Sequence, residues 1–292
     1  MKILETHIVP AITEKIRLQE YGVSIFTNIT SRSRLKKAIK RGEILIDGEV
    51  AVTSHWILPG QKIELLQQEK KPKKIFRLNL DVTYEDSFLA VINKPKGYPT
   101  SGNFFKTIEN ALPFNLKVSE EKDALPFPLP VHRLDNPTSG LLLIAKTGSS
   151  LTKLNLAFQE KRITKIYLAL VYGSCPESFI VTKEIEGKPS KTTFSIVRSF
   201  QKKGEIFSLV EAYPETGRTH QIRIHLSNYG HPIVGDQVYG MENDIHLNKG
   251  LFLAAIGLNF GHPETGEELV FKIQPPQFFQ KFLSHLEPIV LP

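Results

Sequence analysis

The stretch Val-His-Arg-Leu-Asp-Asn-Pro-Thr-Ser-Gly-Leu-Leu-Leu-Ile-Ala-Lys, residues 131 to 146, constrains the chain most. Its first half crowds His132, Arg133, Asp135 and Asn136 together before Pro137, Thr138, Ser139 and Gly140 break the backbone. Its second half, Leu141 to Ala145, is an unbroken apolar run between Gly140 and Lys146. A run this short, with no polar alternation, reads as a strand buried on both faces. A polar loop carrying an acid is therefore attached to the middle of a sheet, and loops held by a rigid scaffold commonly carry chemistry. Taken alone, the loop leaves two readings open. Asp135 either caps the Pro-Thr-Ser turn with Arg133 as its ion partner, or is a reactive carboxylate.

At 292 residues the chain can hold two domains and a large core. Its hydrophobic content of 41% and charged content of 23% are ordinary for a globular protein. A single cysteine, Cys175, excludes a disulfide framework and a multi-cysteine zinc site, and fits a reducing, cytoplasmic compartment. The first fifteen residues hold no apolar signal core and no long apolar window follows, so neither a signal peptide nor a membrane span is expected. The net charge of +7 is uneven: residues 1–74 carry 14 Lys plus Arg against 8 Asp plus Glu. A small basic module on a nearly neutral body points to an anionic partner, nucleic acid first.

That module begins with an expected helix over residues 13–22, ending at Gly22. A second helix is capped by Ser31 or Ser33, carries Leu35, Ala38 and Ile39 at helical spacing, and stops before Gly42. Arg32, Arg34, Lys36, Lys37, Lys40 and Arg41 decorate it. Strands follow at 43–46, at 49–52 after an Asp47-Gly48 hairpin turn, and at 61–66 after Leu58-Pro59-Gly60. Ser-Arg-Ser-Arg-Leu-Lys-Lys-Ala-Ile-Lys-Arg-Gly, Ile-Leu-Ile-Asp-Gly and Leu-Pro-Gly-Gln-Lys-Ile resemble the S4 RNA-binding domain. The resemblance implies that the six basic residues of the helix contact RNA. Residues 67–75 have a linker composition, which divides the chain into residues 1–74 and 75–292.

In the body, strands are expected at 82–86 and 88–92, the latter running into Asn93-Lys94-Pro95-Lys96-Gly97. Residues 113–130, rich in proline and charge, read as a surface loop. A helix over 148–161 carries Leu151, Leu154 and Phe158 on one face. Thr164 to Val171 alternates as a strand and includes Lys165 and Tyr167. Strands at 179–185, 191–200 and 205–213 imply an antiparallel or mixed sheet. There is no glycine-rich phosphate loop before a helix, so no nucleotide cofactor is expected. Further strands are read at 251–255 and 269–273, and a closing helix over Phe278, Phe279 and Phe282.

A second polar signature is Thr216-Gly217-Arg218-Thr219-His220-Gln221-Ile222-Arg223-Ile224-His225-Leu226, with Thr219 as a candidate helix cap. It continues through His231 to Gly235-Asp236-Gln237-Val238-Tyr239-Gly240. The spacings of His220, His225 and His231 do not share one helical face and no cysteine supports them, so no metal is expected.

Three segments together resemble the RluA-type pseudouridine synthases: His-Arg-Leu-Asp-x-x-Thr-Ser-Gly, Lys-x-Tyr-x-Ala, and Gly-Arg-x-His-Gln-Ile-Arg-x-His followed by Gly-Asp-x-x-Tyr-Gly. Asn-Lys-Pro-x-Gly also matches, but Tyr98-Pro99-Thr100-Ser101-Gly102 stands where that family usually has a Val-His-Pro-like segment. The resemblance implies an α+β fold with a mixed, mainly antiparallel sheet behind a small S4-like module. It implies isomerisation of uridine to pseudouridine in RNA without a cofactor. Asp135 is then the nucleophile, Arg223 its cationic partner and Tyr167 a residue against the uracil. His132, Arg133, Arg218, His220 and Gln221 are expected to meet substrate. Large-subunit ribosomal RNA is the expected partner, tRNA the runner-up, and a monomer the expected state. Rival readings are a non-catalytic RNA-binding ribosome assembly factor, and a retaining glycosidase. The last needs a second carboxylate about 5 Å from Asp135, and Asp236 is the only acid in the nearby motifs.

Overall fold

The computed structural model describes residues 3–23, 25–27, 29, 31–66, 75–242 and 244–289. The chain divides into two compact units, residues 1–73 and 74–292. Most of the stretch read as a linker, residues 67–74, lies outside the described residues. None of the described helices is long and apolar enough to cross a membrane.

The first unit runs β1 (Ile3–Ile8), β2 (Ile16–Arg17), α1 (Leu18–Tyr21), α2 (Arg32–Lys40), β3 (Ile44–Ile46), β4 (Glu49–Val50), β5 (Trp56–Ile57) and β6 (Lys62–Leu66). The Ser31 hydroxyl caps α2 by accepting from the Arg34 N–H at 3.3 Å. Leu35, Ala38 and Ile39 are buried, while all six basic residues at 32, 34, 36, 37, 40 and 41 are exposed. Asp47 and Gly48 both have positive φ, 51° and 90°, which suits a two-residue hairpin turn between β3 and β4. The expected helix over 13–22 shrinks to one turn. Ile16 and Arg17 instead pair with Ile57 and Trp56, and Arg17 sits 4.9 Å over the Trp56 ring. Strand pairing here overrides a helical pattern too short to stand alone. β1, which the sequence pattern did not reveal, pairs antiparallel with β6.

The second unit runs β7 (Asp81–Glu85), β8 (Leu89–Lys94), α3 (Ile108–Asn115), β9 (Ala124–Pro130), β10 (Ser139–Thr147), α4 (Gly148–Gln159), β11 (Thr164–Tyr172), β12 (Ser178–Val181), β13 (Thr192–Lys202), β14 (Glu205–Pro214), α5 (Gln221–Asn228), β15 (Leu253–Gly261), β16 (Glu268–Lys272), α6 (Gln277–Leu283) and β17 (Glu287–Ile289). They form one sheet in the order β12-β13-β14-β11-β15-β10-β8-β7, with β16 on β15, β17 on β13 and β9 on β10. All pairs are antiparallel except β10 with β15.

Every residue of β10 is buried, because both of its faces are covered. Leu142 and Ile144 pack with Ile108, Ala111 and Leu112 of α3, while Leu141, Leu143 and Ala145 pack with Leu154 and Ala157 of α4. Burying each such leucine contributes roughly 1.5–3 kcal/mol, which anchors the loop that enters this strand. Gly140 is required at the entry. Its φ is +118°, and a Cβ there would lie 2.1 Å from the Ala255 carbonyl oxygen of β15.

The surface loop expected at 113–130 is a correction. Residues 113–115 end α3, and residues 124–130 form β9, with Ala145 opposite Leu129 and Ile144 opposite Pro130. Pro126, Pro128 and Pro130 remove every second donor, which an edge strand tolerates and a central strand does not.

Candidate active site

The two polar signatures meet in one cavity of about 400 Å³, within the range of small-ligand sites. It is lined by His132, Arg133 and Asp135 from the loop before β10, Tyr167 from β11, and Arg218, His220, Gln221 and Arg223 around the start of α5. All eight residues expected to be catalytic or to meet substrate are there. Sheet register explains the assembly. Gly140 pairs with Ala255, and Ala255 with Tyr167, which pairs on its other side with Ala212. Directly paired residues share a face, so a row of glycine and alanines leaves room for one large ring, Tyr167.

Asp135 starts a turn in which its carbonyl accepts from the Thr138 N–H at 3.1 Å. The main chain makes this turn, so the carboxylate is not consumed as a cap. It faces Arg223 Nη1 at 3.7 Å and His220 Nε2 at 3.8 Å. Arg133 is exposed at the rim and forms no ion pair with Asp135.

Arg223 has a second and tighter partner besides the expected Asp135. Its hydrogen bonds go to Asp236, Nε to Oδ2 at 2.8 Å and Nη2 to Oδ1 at 2.7 Å. Nη1 is left to point toward Asp135. Burial alone would raise the Asp236 carboxyl. Arg223 and the N–H groups of Val238 and Tyr239 instead hold it below the usual carboxylate range. Asp236 is therefore a brace, and Asp135 keeps the longer ion contacts to Arg223 and His220. The tail Gly-Asp-x-x-Tyr-Gly also supplies Tyr239, whose hydroxyl lies 3.1 Å from His220 Nδ1 and whose ring lies 5.1 Å from the Arg223 guanidinium.

His220 adopts a left-handed backbone, φ 55° and ψ 22°, at the N-terminus of α5. For a residue with a Cβ this costs roughly 1–2 kcal/mol, and it aims the imidazole at Asp135. The expected Thr219 cap is not formed, since α5 begins after His220 without a side-chain cap.

Gln221 is a correction. It is 4% exposed, and its amide is fully used: Nε2 donates to Lys191 O and Thr192 Oγ1, and Oε1 accepts from Thr216 Oγ1 and Arg218 N. It shapes the cavity wall and has nothing left for substrate. His132 Nε2 accepts the Leu143 N–H at 3.1 Å. Burial first, and nearby Lys165 second, push its pKa down to about 3, so the ring is neutral and ties the loop to β10. Arg218 donates from Nε to Pro189 O at 3.1 Å and is half-buried. Burial first, and the Asp135 charge second, raise the Tyr167 phenol, so it stays protonated at neutral pH.

Sequence reasoning missed two supports. The Lys94 ammonium is fully buried and donates to Thr138 O at 2.7 Å, Pro95 O at 3.1 Å and Asn136 O at 3.3 Å. The Asp135 turn is thus wrapped around a cation. Burial pushes this lysine down to about 8, partly offset by the Asp135 charge. Thr100, in the segment that departs from the family pattern, clamps Leu134 through both its N–H and its C=O. The signal for Lys94 was a lysine at the end of an apolar strand. Thr100 had no sequence signal.

The three histidines weighed for metal go separate ways. His225 bonds Ser190 Oγ at 2.7 Å and Thr192 Oγ1 at 3.0 Å. His231 Nδ1 lies 2.9 Å from Tyr172 O. His220 faces Asp135.

Residues 89–228, which contain both sides of the cavity, match the family model for RNA pseudouridylate synthases. An RNA pseudouridine synthase of Aquifex aeolicus is 32% identical over 98% of this chain and 99% of its own length. The ribosomal large subunit pseudouridine synthase D of Vibrio cholerae is 33% identical over 89% and 88%. The human RNA pseudouridylate synthase domain containing 1 superposes with a TM-score of 0.60 at 26% identity, covering 77% of this chain and 93% of that one. With a carboxylate poised between a braced arginine and a histidine on this fold, the chain belongs to the RluA-type RNA pseudouridine synthases, isomerases that convert uridine to pseudouridine in RNA.

Proposed function

We propose that the protein isomerises uridines of large-subunit ribosomal RNA, with Asp135 as the nucleophile. One observation carries the assignment of Asp135. Of the two acids that line the cavity, Glu215 is paired with Lys161 and Lys191, whereas Asp135 lies 3.7 Å from the Arg223 guanidinium. The guanidinium faces the carboxylate as its ion partner. The reaction breaks the bond from ribose C1′ to uracil N1 and forms one from C1′ to C5. N1 gains a proton and C5 loses one, so atoms and electrons balance without an oxidant or reductant. The glycosidase reading is disfavoured, because Asp236 is saturated by Arg223 and Glu215 is paired with Lys161 and Lys191.

A stacked uridine must leave its helix to reach the cavity. Arg133, exposed at the rim, is suited to fill the vacated stack with its planar guanidinium. Tyr167 packs against the base. Its hydroxyl becomes a better proton carrier once Asp135 has bonded to substrate, because the carboxylate charge that helped raise the phenol is then gone. Tyr167→Phe is therefore expected to lower turnover while RNA affinity stays within about twofold, as separate kcat and binding measurements will read. Normal turnover would reduce Tyr167 to packing.

We assign the first unit, S4-like in its order of elements, to RNA binding. Among the described residues, five of the six exposed basic groups on and after α2 have no ion pair, Arg41 alone pairing with Glu43 at 3.6 Å. Deleting residues 1–74 is expected to weaken RNA binding and flatten its salt dependence, with the body still folding on its own core. An unchanged salt slope would remove this role.

The ribosomal target is supported by the naming of the Vibrio cholerae relative, and such an enzyme works in the cytoplasm. Mapping pseudouridines across total RNA with and without the gene tests it. A site lost from large-subunit rRNA supports the assignment, and a site lost only from tRNA replaces it with the runner-up.

A further inference from the structure

Several cations in and around the cavity are committed, while Arg133 is exposed at its rim and Arg218 donates to Pro189 O. Arg223 is held by Asp236, and Lys161 and Lys191 share Glu215 on the rim. Arg162 pairs with Glu160, and Lys94 is enclosed by three carbonyls. Lys165 differs. It lines the cavity and is half-buried, yet it has no hydrogen bond or ion pair among the described residues. Its ammonium lies 5.8 Å from the Phe158 ring centre, at the outer edge of a cation–π contact. Burial lowers its pKa, with nothing opposing the shift.

Placement adds to this. Lys165 stands two residues before Tyr167 on β11, so the two side chains leave the same face of the sheet. Phe158 also packs against His132, their ring centroids 5.0 Å apart, which sets Lys165 beside the loop that carries Arg133 and Asp135. A half-buried cation without a partner is destabilising. Its presence is explained when the partner arrives with the substrate. Uracil and ribose are neutral, so the anion that RNA brings into this cavity is its phosphodiester.

We propose that Lys165 forms a phosphate-binding subsite at the β11 end of the cavity, pairing with a phosphodiester oxygen of the target strand beside the flipped uridine. The inference rests on the cavity being the RNA isomerisation site. It does not depend on which RNA is the target. The cation positions the strand, and the loss on its removal falls on substrate binding.

The test measures kcat and KM for pseudouridine formation on total RNA from a strain lacking the gene, across roughly 50–200 mM KCl. Lys165→Met is expected to lower kcat/KM about tenfold at low salt, mainly through KM. The slope of log kcat/KM against log salt should become shallower by about 0.7–0.9, the value for one lost phosphate contact. Lys165→Arg should restore the slope. The Tm of Lys165→Met should equal or exceed that of wild type, since no native partner is lost. An unchanged slope would overturn the proposal even if activity falls, because a lysine that donates to a uracil carbonyl lowers activity without a salt signature. A lowered Tm would also overturn it, by revealing a partner in the free protein. Total RNA contains every substrate class, so conversion of sites outside large-subunit rRNA counts against the ribosomal assignment alone.

Discussion

Arg223→Ala is expected to abolish pseudouridine formation and to destabilise the catalytic unit by roughly 3–5 kcal/mol. For a unit of this size that is a fall in Tm of about 10 °C. The two effects have different causes. The stability loss comes from Asp236, whose side chain is 1% exposed and would be left as a buried, unpaired carboxylate. The activity loss comes from Asp135, which loses the cation 3.7 Å away. A double variant, Arg223→Met with Asp236→Leu, separates them. Replacing a buried ion pair with apolar groups of similar size is often neutral, so Tm should recover while activity stays absent. Recovery of activity with Tm would show that Arg223 serves the fold alone.

Asp135→Asn is expected to give no measurable pseudouridine while RNA binding and Tm stay near wild type. The amide keeps the shape of the side chain, and the turn is unaffected because it uses the Asp135 main-chain carbonyl. Lys94 still binds its three carbonyls. In activity, Asp135→Asn combined with Arg223→Ala should be no worse than Asp135→Asn alone, since both remove the same ionised nucleophile. In stability the two should add, because the cost of losing Arg223 is carried by Asp236. Additive losses in activity would mean that Arg223 acts on substrate independently of Asp135.

How much of this was legible in the sequence follows from the range of the signals. Leu141–Ala145 announced a doubly buried strand because five apolar residues in succession have no solvent face to offer. Ser31, Gly42 and Asp47-Gly48 announced local backbone geometry through capping and turn chemistry. The cavity's membership was legible because whole signatures carried it. What escaped depends on contacts distant in sequence. Ile16–Arg17 is a strand only because Trp56–Ile57 lies beside it. Residues 124–130, whose prolines suggest a loop, are acceptable as an edge of β10. Asp236 was visible as a motif acid, yet its bidentate hold on Arg223 needs a bend in the chain after α5. Gln221 sits between cavity-lining neighbours, and only its four hydrogen bonds show that its amide is fully used within the wall. Lys94 lies 41 residues before Asp135, joined to its turn by three backbone carbonyls with no sequence signature.

Isomerisation of uridine through the Asp135 carboxylate is tested most directly by incubating purified protein with total RNA from a strain lacking the gene and counting pseudouridine at the lost position. Wild-type protein should restore that position to full modification. An Asp135→Asn protein with a wild-type Tm and wild-type RNA affinity should leave it as uridine. Pseudouridine formed by that folded variant at a rate close to wild type would contradict the account, because the other acid of the cavity, Glu215, is paired with Lys161 and Lys191.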